Sequence, residues 1–197
     1  GGFSHCRHFP GNLSISYLAN LNDPGNFRQV ERVDGRLELA GCPLPDLQIL
    51  ESLEFVGELA LDNMDQLENL SGMGQLREIR EDFSININDR LLNLTGPERL
   101  ERIGGNLLII FNFELQSLHG LDALRQLGGL FLSSNIALNS LVGLPPELDL
   151  QGDLSISQMP AFVHLEGLPP IDSLTGQLVI SANDNLQYLR GLSVEYV

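Results

Sequence analysis

A five-residue pattern returns eight times along the chain: glycine, a variable residue, an apolar residue, a variable residue and a second apolar residue. It reads Gly11-Asn12-Leu13-Ser14-Ile15 at its first appearance and Gly176-Gln177-Leu178-Val179-Ile180 at its last. The copies begin at positions 11, 35, 57, 81, 105, 128, 152 and 176, with Glu81 standing for glycine in the fourth. Successive copies are therefore 22 to 24 residues apart with no interruption. A period of this length marks a solenoid, because a unit so short cannot bury its own apolar residues and must stack on its neighbours. Gapless repetition leaves no room for a second domain. The expected organisation is an N-terminal cap over residues 1–10 and a single solenoid domain over 11–197.

The period changes inside each copy. The first five residues alternate, as a strand with one buried face does. The remainder spaces its aliphatics about three apart, as in Leu115, Leu118, Leu121, Leu124 and Leu127. That spacing would suit an amphipathic helix, but Gly72, Gly96, Gly120, Gly143, Gly167 and Gly191 interrupt it at a fixed place. Leu144-Pro145-Pro146 and Leu168-Pro169-Pro170 follow two of these glycines. Glycine and proline there oppose a helix, so turns and short extended or 3₁₀ pieces are expected to carry the leucines inward. The 40 leucines, about a fifth of the 197 residues, fit that demand. The fold class expected is β-rich: a right-handed parallel β-helix, or leucine-rich-repeat-like solenoid, of eight rungs. At about 4.8 Å per rung it forms a rod on the order of 38 Å long.

Aligning the copies gives the columns of the rod. Leu13, Leu37, Leu59, Phe83, Leu107, Leu130, Leu154 and Leu178 face inward, beside the column from Ile15 to Ile180. A third inward column holds Leu18, Cys42, Met64, Asn88, Asn112, Asn135, Met159 and Asn183. Buried asparagines need partners, and stacked ones could donate to carbonyls of the turn and of the next rung. The alternative is that they are solvated turn residues, a position asparagine also favours.

Charge excludes several classes of partner. The formal charge is −15, from 26 acidic residues and 11 arginines with no lysine. Nucleic acid and anionic lipid both need a cationic surface, so neither is an expected partner. No stretch approaches the roughly 20 apolar residues of a membrane helix. The start, Gly1-Gly2-Phe3, lacks the charged and apolar regions of a signal segment, so the chain reads as a processed fragment; the end has no cap motif and is expected to continue.

The run Leu127-x-x-Leu130-x-Leu132-x-x-Asn135 resembles the leucine-rich-repeat core. Most copies carry one extra residue before the strand, as in Ile103-Gly104-Gly105-Asn106-Leu107-Leu108-Ile109, and continue as Asn112-x-x-Leu115-x-x-Leu118-x-Gly120-Leu121. That form is similar to the receptor L domain of the insulin- and epidermal-growth-factor-receptor ectodomains, with microbial surface proteins among its relatives. The similarity runs from residue 6 to about residue 192; the cysteine-rich region that flanks receptor L domains is missing, which favours a stand-alone or microbial surface relative. The resemblance implies a secreted or cell-surface setting and a binding role. It also implies that a Cys6–Cys42 disulfide ties the N-terminal segment to an early rung. Two alternatives stay open: Cys42 as a buried thiol of the third column with Cys6 free, or a metal site from His5, Cys6 and His8, whose spacing matches no known ligand pattern.

Searching for chemistry finds no nucleophile elbow, zinc-protease motif or phosphate loop. His119 and His164 fall in rung turns without a nucleophile nearby in sequence. No cofactor and no metal is expected, and the chain reads as a non-enzyme. On the outward faces of rungs two to four, Glu38, Glu58, Asp62 and Asp82 gather. Stacked acids repel unless a cation sits among them; Arg36 or a Ca²⁺ ion could, although a solvated acidic face is the plainer reading. On rungs five and six the outward columns turn apolar, with Leu108, Ile110 and Phe131, and the adjoining turn adds Phe111 and Phe113. Phe111 in particular could instead turn inward. An apolar patch on an open sheet usually marks a contact surface. The expectation is a non-catalytic recognition module that binds a protein or glycan through this patch. The alternatives are an adhesive repeat protein without a discrete site and, more distantly, a carbohydrate-active β-helix enzyme. The sheet face or the last rung is also open to a second copy of the chain.

Overall fold

Alternation builds the strands, and the strands lock the coils together. A computed structural model describes residues 6–18, 25–171, 174–189 and 192. Among these, eleven strands form one sheet: β1 (His8–Phe9), β2 (Leu13–Ser16), β3 (Arg32–Ala40), β4 (Phe55–Asp62), β5 (Glu78–Ile79), β6 (Phe83–Asn86), β7 (Arg102–Ile110), β8 (Gln126–Ser133), β9 (Asp149–Leu150), β10 (Leu154–Ser157) and β11 (Leu178–Ser181). Every pairing is parallel. The only helical pieces among the described residues are 3₁₀ turns at Gly25–Gln29 and Gln48–Leu50. The chain is thus an all-parallel β-solenoid of about seven turns, with eight strands stacked in register along its main ladder.

That register follows the repeat residue for residue. Leu13 pairs with Leu37, Leu37 with Leu59, Leu59 with Phe83, and so on to Leu154 with Leu178. From Leu37 to Leu154 this column is sealed from solvent, as is the parallel column from Leu39 to Ile156. The leucines of the return path, among them Leu115, Leu118, Leu121 and Leu124, close the same core from the other side. Each leucine so buried contributes roughly 1.5–3 kcal/mol. Since a lone coil leaves its core faces open, the contribution exists only in the stack.

A second, shorter ladder precedes the main one and was not anticipated. His8, Arg32, Phe55, Glu78, Arg102, Gln126 and Asp149 pair in succession, as do Phe9, Val33, Val56, Ile79, Ile103, Leu127 and Leu150. A break in register at Val33/Arg36 and at Ile103/Asn106 separates the two ladders within one strand. The first two residues of each rung therefore add another buried aliphatic column. Residues His8 and Phe9, expected in an N-terminal cap, are part of this ladder; residues 1–5 lie outside the described residues. A third line of backbone bonds joins the return paths, such as Leu70 N to Thr95 O (2.9 Å) and Leu94 N to His119 O (3.0 Å).

The return path is tight enough to need glycine. Gly96 has φ of 143°, and a Cβ built on it would overlap the carbonyl of Leu70 in the preceding rung. Gly72, Gly120, Gly143 and Gly167 occupy equivalent places with φ between 88° and 119°.

Between them the asparagines form a hydrogen-bonded spine. Asn88, Asn112 and Asn135 are fully buried. Asn112 Oδ1 accepts the Asn88 amide (3.0 Å), and Asn135 Oδ1 accepts the Asn112 amide (3.0 Å). Asn88, Asn112 and Asn135 donate through Nδ2 to the carbonyls of Leu61, Ile85 and Ile109 (2.8–3.0 Å). The solvated reading is thereby excluded for these three. Asn112 Nδ2 also donates to the Ile110 carbonyl of its own rung (3.3 Å), as expected of the turn, while the other carbonyls engaged belong to the preceding rung rather than the next. Asn183 repeats the arrangement toward Met159 and Ile156. Leu18 departs from the inward column: it is 45% exposed, beside β2, whose main-ladder pairing is with β3 alone.

The disulfide expectation is corrected. Both cysteines are free. Cys42 is buried in the spine and its thiol donates to the carbonyls of Ala40 (3.4 Å) and Ile15 (3.5 Å), taking the place an asparagine amide holds elsewhere. Cys6 donates to the His8 carbonyl (3.3 Å). His8 Nε2 meets Asp34 (2.7 Å); His5, the other histidine of the metal alternative, lies outside the described residues. His8, and then Arg32, hold the Asp34 carboxyl below its ordinary range.

Candidate functional site

Strand alternation turns one residue in two outward, and the register stacks these residues into columns. Ser14, Glu38, Ala60, Ser84, Leu108, Phe131, Ser155 and Val179 form one column; Ser16, Ala40, Asp62, Asn86, Ile110, Ser133, Ser157 and Ser181 form the next. Leu108 lies directly against Phe131, while Ile110 sits between Asn86 and Ser133. All three apolar side chains are half-buried.

The chain turns sharply after each strand. The residue just past the strand adopts a left-handed backbone in every rung, at Tyr17, Gly41, Asn63, Ile87, Phe111, Ser134, Gln158 and Ala182, with φ between 53° and 59°. Glycine and asparagine take this conformation at little cost, whereas bulky and β-branched residues are rare in it. Ile87 (φ 56°) and Phe111 (φ 59°) hold it on adjacent rungs, and both project outward, 48% and 45% exposed. Two residues further on, the rung-five and rung-six positions carry Phe113 and Ile136, 42% and 50% exposed. The Phe111 and Phe113 rings meet edge to face at 6.3 Å.

The five predicted residues Leu108, Ile110, Phe111, Phe113 and Phe131 thus converge on one surface, with Phe111 outward. Ile87 and Ile136 extend that surface and escaped sequence reasoning. They belong to columns beyond the strand, where alternation no longer tells inside from outside. A left-handed isoleucine also leaves no mark in the sequence, unlike a glycine.

The acidic residues behave differently. Arg36 contacts Glu58, lies 3.4 Å from Glu38 and 3.9 Å from Asp62. Burial opposes its charge, but the surrounding carboxylates outweigh burial and raise its pKa. Ser14 Oγ donates to Glu38 (2.8 Å). Burial pushes the Asp62 carboxyl up, against the Asn86 hydrogen bond (2.9 Å) and the Arg36 charge. Asp82 does not join this group. Its carboxylate accepts the Asn106 backbone amide (2.7 Å), as Asp153 accepts that of Gln177 (2.7 Å) and Asn12 that of Arg36 (2.9 Å). The first outward column therefore ties one rung to the next. Among the described residues no cluster of three or more His, Cys, Asp or Glu side chains is placed to hold a metal ion.

On the return side, a shallow groove of about 370 Å³ is lined by His119, Asp122, Arg125, Pro145 and Glu147. Arg125 there donates to the carbonyls of Asp122 and Leu124, bracing its own turn. No protein-family model, no curated protein and no solved structure matches this chain.

Proposed function

We propose that this chain is a non-catalytic recognition module, related to receptor L domains, that binds a protein partner in a secreted or cell-surface setting. The asparagine spine and the leucine spacing support the L-domain relationship. The observation that carries the binding role is the concentration of seven apolar side chains, Ile87, Leu108, Ile110, Phe111, Phe113, Phe131 and Ile136, on three consecutive rungs, whereas elsewhere the two outward columns carry polar residues, alanines and Val179. Nothing in the stacking of the coils requires them there: Ser84, Ser133 and Ser155 serve at equivalent or adjoining positions. Two of the seven also hold a backbone conformation that costs of order 1 kcal/mol or more for a non-glycine residue. Strain of this kind tends to persist where function selects the side chain. Aliphatics outnumber aromatics in the patch and polar groups are sparse within it, which favours a protein over a glycan.

The test is photo-cross-linking with benzoylphenylalanine at position 131, compared with the exposed return-path position 116, in the medium where the protein acts. A discrete protein adduct from position 131, lost in Phe111→Asp, supports the reading. Equal adducts from both positions would favour an adhesive repeat with no discrete site, and a glycan bound equally by wild type and Phe131→Asp would refute the patch.

A further inference from the structure

We infer that the partner presents a cationic surface: apolar anchors ringed by arginine or lysine. The inference rests on the patch being the docking face and adds the chemistry of what docks. Rungs three and four border the patch with acids. Asp62 pairs with Asn86, which pairs with Ile110, so this carboxylate lies two rungs, about 10 Å, from the apolar surface. Asp65 and Asp89 occupy on rungs three and four the place that Phe113 occupies on rung five, and both are exposed. Glu114, also exposed, follows Phe113 directly. Among the described residues of the outward columns, Arg36 is the sole basic side chain, and it is already engaged by Glu38, Glu58 and Asp62. Arg90, the nearest other cation in sequence, donates to Gln66 (2.9 Å).

The rim therefore carries net negative charge: Asp65, Asp89 and Glu114 outnumber Arg90, whose hydrogen bond to the neutral Gln66 leaves its charge in place, while Asp62 is offset by Arg36. A neutral or acidic partner would bring its own surface against these carboxylates with no gain, and like charges across an interface are strongly disfavoured. The same argument weighs against a second copy of this chain, whose formal charge is −15. An arginine- or lysine-rimmed partner instead gains attraction around the edge while its apolar residues cover Phe111, Phe113 and Phe131. The charged rim sets orientation and association rate; the apolar centre supplies most of the affinity.

The experiment is selection of a displayed library of random dodecapeptides on the full chain, with subtraction on the Phe111→Asp/Phe131→Asp variant. Enriched sequences should combine aromatic or aliphatic residues with arginine or lysine. Their affinity should fall with ionic strength and drop about two- to fivefold in each of Asp65→Asn and Asp89→Asn, the range of an exposed ion pair. Two results overturn the inference while leaving the docking face intact: enriched apolar peptides with neutral or acidic flanks, or affinities untouched by salt and by both asparagine variants. Basic peptides that lack apolar residues and bind the subtraction variant equally would reduce the effect to bulk charge and overturn it. No peptide that distinguishes wild type from the variant would overturn the docking face itself.

Discussion

Replacing Asn112 with leucine removes the centre of the spine while filling its space with an apolar side chain of similar reach. Two buried groups lose their partners: the Asn88 amide, which donates to Asn112 Oδ1 at 3.0 Å, and the Ile85 carbonyl, which accepts from Asn112 Nδ2 at 2.9 Å. Leaving each stranded costs about 1–3 kcal/mol. Burial of the leucine returns at most about 2 kcal/mol. The net loss should lie near 3 kcal/mol. Urea denaturation followed by circular dichroism measures it, with Asn139→Ala, an exposed turn position, as a control expected within about 0.5 kcal/mol of wild type. Because a solenoid can unfold from one end, a local probe is also needed. Hydrogen exchange at the Asn88 amide should accelerate in Asn112→Leu well beyond that at Leu47 N, which is bonded to Ser71 O on the return path. A variant as stable as wild type, with unchanged protection at Asn88, would refute the view that the spine holds the rungs together.

Other substitutions probe other joints. Gly96→Ala should cost more than about 2 kcal/mol, because it sets a methyl group at φ 143° against the Leu70 backbone, whereas Gly74→Ala, whose nearest neighbour would be Gly96 O at 3.7 Å, should be nearly silent in the same melts. Ile87→Asn should stabilise the fold by about 0.5–1 kcal/mol by relieving left-handed strain, and should weaken any partner that uses the patch; destabilisation would contradict the strain argument. Burial raises the Asp62 carboxyl above its ordinary 3.8, so the folded state holds that proton more tightly than the unfolded chain does. Wild type then loses relative stability as pH rises through the acidic range, and Asp62→Asn should be the more stable protein at neutral pH, with the difference closing below pH 3.8 in a pH series of melts. Mass should be unchanged by reductant, and Cys6 should alkylate in the native protein while Cys42 reacts only on unfolding.

Much of the architecture was legible because the repeat is short and regular. Eight aligned copies placed Leu37 under Leu59 and Leu108 beside Phe131, as the pairing has it. Stacked asparagines at a fixed offset from the strand announced the spine. The second ladder was not legible, since two residues such as Glu78-Ile79 are too few to show alternation. Its buried members, Val33 through Leu150, looked like more of the same aliphatic spacing. Asp82 read as part of an acidic cluster, yet its carboxylate serves the backbone of the next rung, and nothing in residue type separates those roles. The cysteine pair misled for a related reason: a family habit suggested a bridge, while the position of Cys42 in the asparagine column argued for a buried thiol, and position prevailed.

All of this depends on coils lying in register, since a slip of one residue would turn Leu108 and Phe131 into the core. Spin labels measure that register directly. With one label at Ser14 and the second moved in turn to Leu108, Phe131, Ser155 and Val179, electron–electron distances should step through about 19, 24, 29 and 34 Å, one strand spacing at a time. Separations that stall, reverse or jump along that series would contradict the stack and, with it, the surface from which every functional conclusion is drawn.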